Sequence, residues 1–294
     1  MIPSSRTAAR LGVLVALIAA GLALGSWPTL GAGRREARLP PAAAAETTLV
    51  SEPPATALAS PARAPWPEVV FHGPRDRPFV ALTFDSNLTD AMIRELDTKR
   101  VASFANTEAI DELETLQVPA TLFLSGEWME RYPELTRRLA ASPLFELAGH
   151  SYAHEAFAPH CFHLGTLRRD EMATDVARSE EVLRRFTERP TSFFRFPGGC
   201  YDGAALVAIR PARVQVIQYD VASGDAFGTS EKHIVGHALS SVRNGSIVVL
   251  HITGGTTAPL TARVLPGIVE GLRGRGFTLV RLSDLLANGA GPQT

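Results

Sequence analysis

Lysine is almost absent from this 294-residue chain, which has only Lys99 and Lys232, and its plentiful arginines form no run against a net charge of −1. That balance excludes a surface built to neutralise phosphates, so no nucleic-acid partner is expected. We attach no mechanism to the scarcity of lysine itself. Cysteine is nearly as rare, with Cys161 and Cys200 as the whole complement. No cysteine follows the apolar N-terminal run, which argues against a lipoprotein anchor at that point, and no Arg-Arg pair precedes it. No internal repeat is visible.

What is present begins with that run. Arg6 and Arg10 precede "LGVLVALIAAGLALG", and small residues follow around Ser26 to Gly33. A positive segment, an apolar segment and a small-residue site together read as an export signal. The uncharged span reaches Gly33, long enough to cross a bilayer once, so residues 1–33 are either a signal peptide or an uncleaved N-terminal membrane anchor. Residues 34–65 are rich in Ala, Pro, Glu and Thr without periodicity, the composition of a disordered linker. The folded domain is expected from Trp66 to residue 294, in a secreted or extracytoplasmic location. Export also places Cys161 and Cys200 where a disulfide persists, and the two are expected to pair across the loops "APHCFHLG" and "FPGGCYDG".

Within the domain, seven short apolar runs alternate with amphipathic segments: "FVALTFD", "ATLFLSG", "LFELAGHS", "SFFRFPGG", "VQVIQYD", "SIVVLHIT" and "FTLVRL". Near-continuous hydrophobicity fits strands buried on both faces. The segments between them, such as "EWMERYPELTRRLAA", "TLRRDEMATDVARSEEVLRRF" and "EKHIVGHALSSV", carry one charged and one apolar face, as helices covering a parallel sheet do. The fold class is therefore α/β, a distorted (β/α) barrel of about seven parallel strands, with its site at the C-terminal strand ends.

Those ends carry Asp85, His150, His154, Arg195, Asp220, Asp225 and His251. Taken singly, each has a bland reading as a cap, a turn or a packed histidine; together they converge on one end of one sheet. His150 and His154, four apart and read as spanning a helical turn, can present two imidazoles to one cation. Two nitrogens and an oxygen ligand favour zinc among divalent ions and leave a position open for water, as hydrolysis of an unreactive amide or ester requires.

At these residues the chain resembles the polysaccharide deacetylases of carbohydrate esterase family 4, over roughly Phe79 to Leu285. The matching stretches are "TFD" at Thr83 to Asp85, "HSYAH" at His150 to His154, "RFPGG" at Arg195 to Gly199 and "VLH" at Val249 to His251. The resemblance implies a metal-dependent carbohydrate deacetylase, a hydrolase of carbon–nitrogen bonds other than peptide bonds, acting on an N-acetylated polysaccharide or cell-wall glycan. It implies Asp85 as general base, His150 and His154 as metal ligands, Arg195 as tether of Asp85, Asp225 as support of His251, and His251 as general acid. Backbone N–H groups between Gly198 and Tyr201 would help to hold the oxyanion. Pro197, Gly198, Tyr201, Phe227 and Val249 would form the substrate pocket.

The chain departs from the family pattern in four places. A second, metal-binding Asp usually follows the base, and here that position is Ser86; Asn87 is the first candidate to replace it, with Asp85, Asp90 and Ser86 as others. A neutral ligand there predicts weaker metal binding. The usual Asp-Trp pair reads Asp225-Ala226, with Phe227 next, and Asp220 is an alternative to Asp225. Val249 replaces Leu. Asp97 to Gln117 is longer than the usual first helix and loop, either shaping substrate choice or packing. Two rival readings stand beside the deacetylase: a catalytically silent carbohydrate-binding domain, favoured by Ser86, and an esterase or amidase of the same fold acting on another acyl substrate.

Overall fold

The computed structural model describes residues 68–287. The signal or anchor segment 1–33, the linker 34–65, the first two residues of the expected domain and residues 288–294 lie outside the described residues. Among the described residues, no helix is long and apolar enough to cross a membrane.

The strands are β1 (Val69–Val70), β2 (Phe79–Ser86), β3 (Ala120–Leu124), β4 (Phe145–Gly149), β5 (Phe193–Phe194), β6 (Gln215–Ile217), β7 (Val221–Ala222), β8 (Ile247–His251) and β9 (Thr278–Leu279). They form one curled sheet in the order β1-β6-β5-β4-β3-β2-β8-β7, with β9 added on β2. Every pairing between these strands is parallel. The expected distorted (β/α) barrel is thus present, with nine strands among the described residues rather than about seven. All seven apolar runs became strands. The two missed, β1 and β7, are two residues long and, unlike the equally short β5 and β9, lie in none of the apolar runs.

The α-helices are α1 (Asp90–Asp97), α2 (Thr107–Thr115), α3 (Gly126–Arg131), α4 (Pro133–Ala141), α5 (Met172–Arg184), α6 (Gly203–Ala208), α7 (Glu231–Ser241), α8 (Thr261–Gly274) and α9 (Leu282–Leu286). The segment "EWMERYPELTRRLAA" contributes two helices, because Pro133 cannot donate a backbone hydrogen bond and instead opens α4 at its first position.

Residues of β2 alternate between two cores. Val80, Leu82 and Phe84 join Leu96, Ile110, Trp128, Leu265 and Ile268 in the layer between sheet and helices. Ala81 belongs with Phe123, Ala148, Ile217 and Ile247 on the other face, where Leu282 and Leu285 of α9 pack. Asp85, in phase with Ala81, therefore emerges on the concave face at the C-terminal end of the strand.

The extension from Asp97 to Gln117 packs. Phe104, Ile110 and Leu113 are buried, and Ala105 forms an antiparallel bridge with Thr253, just after β8. None of its residues lines the cavity described below.

Gly245, in the turn that feeds β8, has φ 74°, and a Cβ there would lie 2.2 Å from the Pro74 carbonyl oxygen. Its N–H donates to the Phe79 carbonyl at 2.7 Å. Gly245→Ala is expected to lower stability by roughly 1–3 kcal/mol, read as a fall in the urea midpoint. An unchanged midpoint would mean that the turn has another accessible conformation.

Candidate active site

The register of the sheet sets Asp85 directly beside His251, since the two are paired positions of β2 and β8. Each has its own partner. Arg195, fully buried just after β5, donates from Nη1 to Asp85 Oδ1 at 2.7 Å and to Thr83 Oγ1 at 2.9 Å. Its Nη2 donates to the Gln218 carbonyl at 3.2 Å and its Nε to the Ile217 carbonyl at 3.4 Å. Burial pushes the Asp85 carboxyl up, but the charge of Arg195, with smaller help from His150 and His251, outweighs it and holds Asp85 below the ordinary carboxylate value.

Asp225 supports His251 from the other side. Its Oδ1 accepts from the imidazole Nδ1 at 2.9 Å, and its Oδ2 accepts the His251 backbone N–H at 2.8 Å. Ser223 Oγ at 2.9 Å and Thr261 Oγ1 at 2.7 Å complete the acceptor shell of this buried carboxylate. Burial alone would depress the His251 pKa; the charge and hydrogen bond of Asp225 overcome it and raise the imidazole above its ordinary value. With Nδ1 engaged, Nε2 is the nitrogen left to donate into the cavity that His251 lines. Asp220, the alternative partner, bonds Arg75, Ser246 and the Ile247 N–H instead.

His150 follows β4, and its Nδ1 meets the Arg195 carbonyl at 2.9 Å, which fixes that nitrogen as the donor and directs the Nε2 lone pair elsewhere. His154 lies with its ring centroid 5.0 Å from that of His150. The expected helical turn between them is absent: Ser151 and His154 take left-handed backbone, φ 63° and 54°, so the pair meets across an irregular loop. That loop is held from outside. Asp175 of α5 accepts the N–H groups of Tyr152 and Ala153 at 3.0 and 3.4 Å, and Gly126 N–H donates to the Ser151 carbonyl at 3.0 Å. Burial drives both imidazoles below their ordinary pKa, His154 well below, so both are neutral and able to offer a lone pair.

Among the described residues, no group of three or more His, Cys, Asp or Glu is arranged to hold an ion. The donor set here has only two imidazoles, with Asn87 as third member. Asn87 Oδ1 and His154 Nδ1 are both buried without a hydrogen-bond partner, a condition that costs free energy unless another group meets them. A divalent cation fits that donor set, with Asp85 Oδ2 3.7 Å from His150 Nε2 at its edge. Of the other candidate ligands, Asp90 is exposed at the start of α1, and Ser86, though its Oγ is buried and unpartnered, does not line the cavity.

These residues border a cavity of about 400 Å³, lined also by Gly198, Gly199, Tyr219, Phe227 and Val249. Two expected pocket residues do not line it. Pro197 is buried behind the turn, and the Tyr201 ring stacks on Phe196 at 4.9 Å. The expected oxyanion donors are also reduced, because the Gly199 and Cys200 N–H groups bond the Phe196 and Pro197 carbonyls within the turn. Cys161 and Cys200 form a disulfide, as expected. A Cβ at Gly198, φ 61°, would lie 2.7 Å from Cys161 Sγ, so glycine is what lets the bridged loops close there. Sequence reasoning missed Ser223, Thr261, Tyr219, Asp175 and Phe162. Thr83 could have been found, since it lies two positions before Asp85 on the same face of the strand.

The Polysaccharide deacetylase family model matches residues 72–217, which contain Asp85, Asn87, the histidine pair and Arg195 but not Asp225 or His251. A peptidoglycan-N-acetylglucosamine deacetylase of Bacillus cereus is 27% identical over 215 residues, 73% of this chain and 70% of that protein. Among solved structures, a peptidoglycan N-acetylglucosamine deacetylase in complex with an N-oxidanyl-benzamide superposes with a TM-score of 0.63 at 24% identity, covering 76% of this chain and 95% of that one. A carbohydrate esterase family 4 pseudoenzyme from Bacillus anthracis superposes at 0.60 and 19% identity, covering 75% and 69%. At these identities the two structures speak to the fold alone.

Replacing Asp225 with Asn removes the charge that offsets burial at His251. The imidazole pKa, followed by NMR titration, is expected to fall from above to below its ordinary value. An unmoved titration would mean that Asp225 does not govern this imidazole.

Proposed function

This chain belongs to the polysaccharide deacetylase family, and from that premise we propose that it is a secreted or extracytoplasmic, metal-dependent deacetylase that hydrolyses N-acetyl groups of a polysaccharide or cell-wall glycan. The observation that carries this reading is the pairing of Asp85 and His251 side by side on β2 and β8. One has a buried guanidinium behind it and the other a buried carboxylate. A glycan-binding surface has no need of either arrangement.

His150, His154 and Asn87 would hold a divalent cation, with zinc the best match to two imidazoles and a neutral oxygen. When bound there, the cation supplies a Lewis acid for the acetyl carbonyl and makes water more acidic. Asp85, kept ionised by Arg195, takes a proton from water as its oxygen attacks the carbonyl carbon. His251, whose protonated form Asp225 favours, lines the same cavity and gives its proton to the amide nitrogen as the C–N bond breaks. The products are acetate and a free amine. Val249 and Tyr219 wall the cavity in which the acetyl group would sit.

The disulfide is in keeping with a location outside the cytoplasm, as is the N-terminal pattern of a signal or anchor. One feature favours a silent binding domain, namely Ser86 in place of an acid. Two intact pairs, Asp85–Arg195 and Asp225–His251, weigh against it. An ester or a non-sugar amide would use the same machinery.

Acetate release from N-acetylglucosamine oligomers and from peptidoglycan is expected from the purified chain, stopping with chelator and returning with zinc. No release from either substrate with metal bound would point to another acyl substrate, and no release without bound metal would favour the silent domain. Asp85→Asn should lower turnover by roughly 10²–10⁴-fold while leaving glycan and metal binding in place. Asn87→Asp should tighten the metal by on the order of tenfold, because ligand charge sets cation affinity. Unchanged affinity would remove Asn87 from the ligand set.

A further inference from the structure

The described residues expose four large hydrophobic side chains, and the two most exposed are Phe162 and Phe227, at 60% and 77%. Both line the mouth of the cavity, and their rings stack at 5.5 Å with an interplanar angle of 24°. They reach that position from different directions. Phe227 follows Ala226 just beyond the carboxylate that supports His251. Phe162 stands next to the disulfide at Cys161, and its ring edge lies against the turn after Arg195, since a Cβ on Gly198 would fall 3.1 Å from Phe162 Cδ2.

The backbone that presents Phe162 is in an uncommon state. His160, Phe162 and His163 all have positive φ, at 62°, 44° and 65°, a conformation that costs non-glycine residues free energy and persists only where the surroundings impose it. On one side the segment is tethered by the Cys161–Cys200 bridge. An exposed aromatic pair held in place this way is not core packing left unfinished. It is exposed apolar surface at the mouth of the cavity.

We propose that Phe162 and Phe227 form a stacking platform for the pyranose ring next to the one being deacetylated, so that the protein recognises a glycan oligomer rather than a single sugar. This rests on the deacetylase reading for the identity of the ligand. A pyranose presents a face of C–H groups that packs on an aromatic ring while its hydroxyls point outward to water, and the exposed rings offer such a face at the cavity mouth.

Calorimetric binding of N-acetylglucosamine monomer and tetramer to the full chain, in chelator so that no turnover intervenes, tests this. The tetramer is expected to bind more tightly than the monomer. Phe162→Ala and Phe227→Ala should each weaken the tetramer by about tenfold, the loss of roughly half an aromatic face of apolar contact, and weaken the monomer by a clearly smaller factor. Phe162→Tyr, which keeps the ring, should retain tetramer affinity. Circular dichroism of both alanine variants should match the wild type, because neither ring is buried. The proposal is overturned if the tetramer binds both alanine variants as the wild type does, if monomer and tetramer weaken equally, or if the tetramer gains nothing over the monomer. Acetate release is scored separately: binding as described without release sinks the deacetylase reading and leaves the platform, whereas release with unaltered tetramer binding in both alanine variants does the reverse.

Discussion

The buried contact between Arg195 and Asp85 is the interaction on which the rest of the site depends. Its guanidinium lies 4.0 Å from the centre of the Phe123 ring of β3, bonds Thr83 and Asp85 of β2, and reaches the carbonyls of Ile217, which ends β6, and Gln218, which follows it. Its own backbone N–H donates to Gly149 at the end of β4, and its carbonyl meets His150 Nδ1. One side chain and its peptide group thus fix the carboxylate, one imidazole and four strands relative to each other. Such an ion pair contributes little net stability after desolvation, but losing one partner leaves an uncompensated buried charge at a cost of about 3–5 kcal/mol. Its value is in geometry, and lysine, lacking the planar fork, could not meet acceptors on β2 and at the end of β6 at once.

Much of this was legible in the sequence, for a physical reason. Strands buried on both faces must be apolar nearly throughout, so "FVALTFD" and "SIVVLHIT" announced themselves, and polar residues at their ends stood out against that background. What stayed hidden was anything decided by tertiary contact. The two-residue strands β1 and β7 exist only because longer neighbours pair with them. Thr261, at the start of α8, bonds Asp225 across 36 residues, and nothing local distinguishes it from any other threonine near a helix start. The loop between His150 and His154 looked like a helical turn because four-residue spacing is what helices use, whereas here α3 and α5 hold the backbone from outside.

The serine after Asp85 has a structural reading of its own. Side chains alternate along β2, and the cavity is lined by Asp85 and Asn87 but not by Ser86. The buried, unpartnered Asn87 Oδ1 lies on the same side as the base, while the Asn87 N–H is anchored on Thr253 Oγ1 at 2.9 Å, in the segment that follows His251. The backbone at the end of β2 is therefore tied to the loop beyond β8. Asn87 thus sets a neutral oxygen at that edge of the cavity without disturbing the Asp85–Arg195 pair.

The parallel pairing of β2 with β8 also sets the order in which this molecule can become active. Thr83 Oγ1 reaches the Val248 carbonyl across 165 positions of chain, and contacts of that separation form late because long loops must close first. Strands β2, β3 and β4 are consecutive in both sequence and sheet, so the carboxylate and the first histidine can come together before β8 exists as a strand. On that ground His251 is expected to join them later, when β8 docks. A nascent or partly unfolded molecule would thus hold Asp85 and the histidine pair without His251, and the site would await closure of the fold.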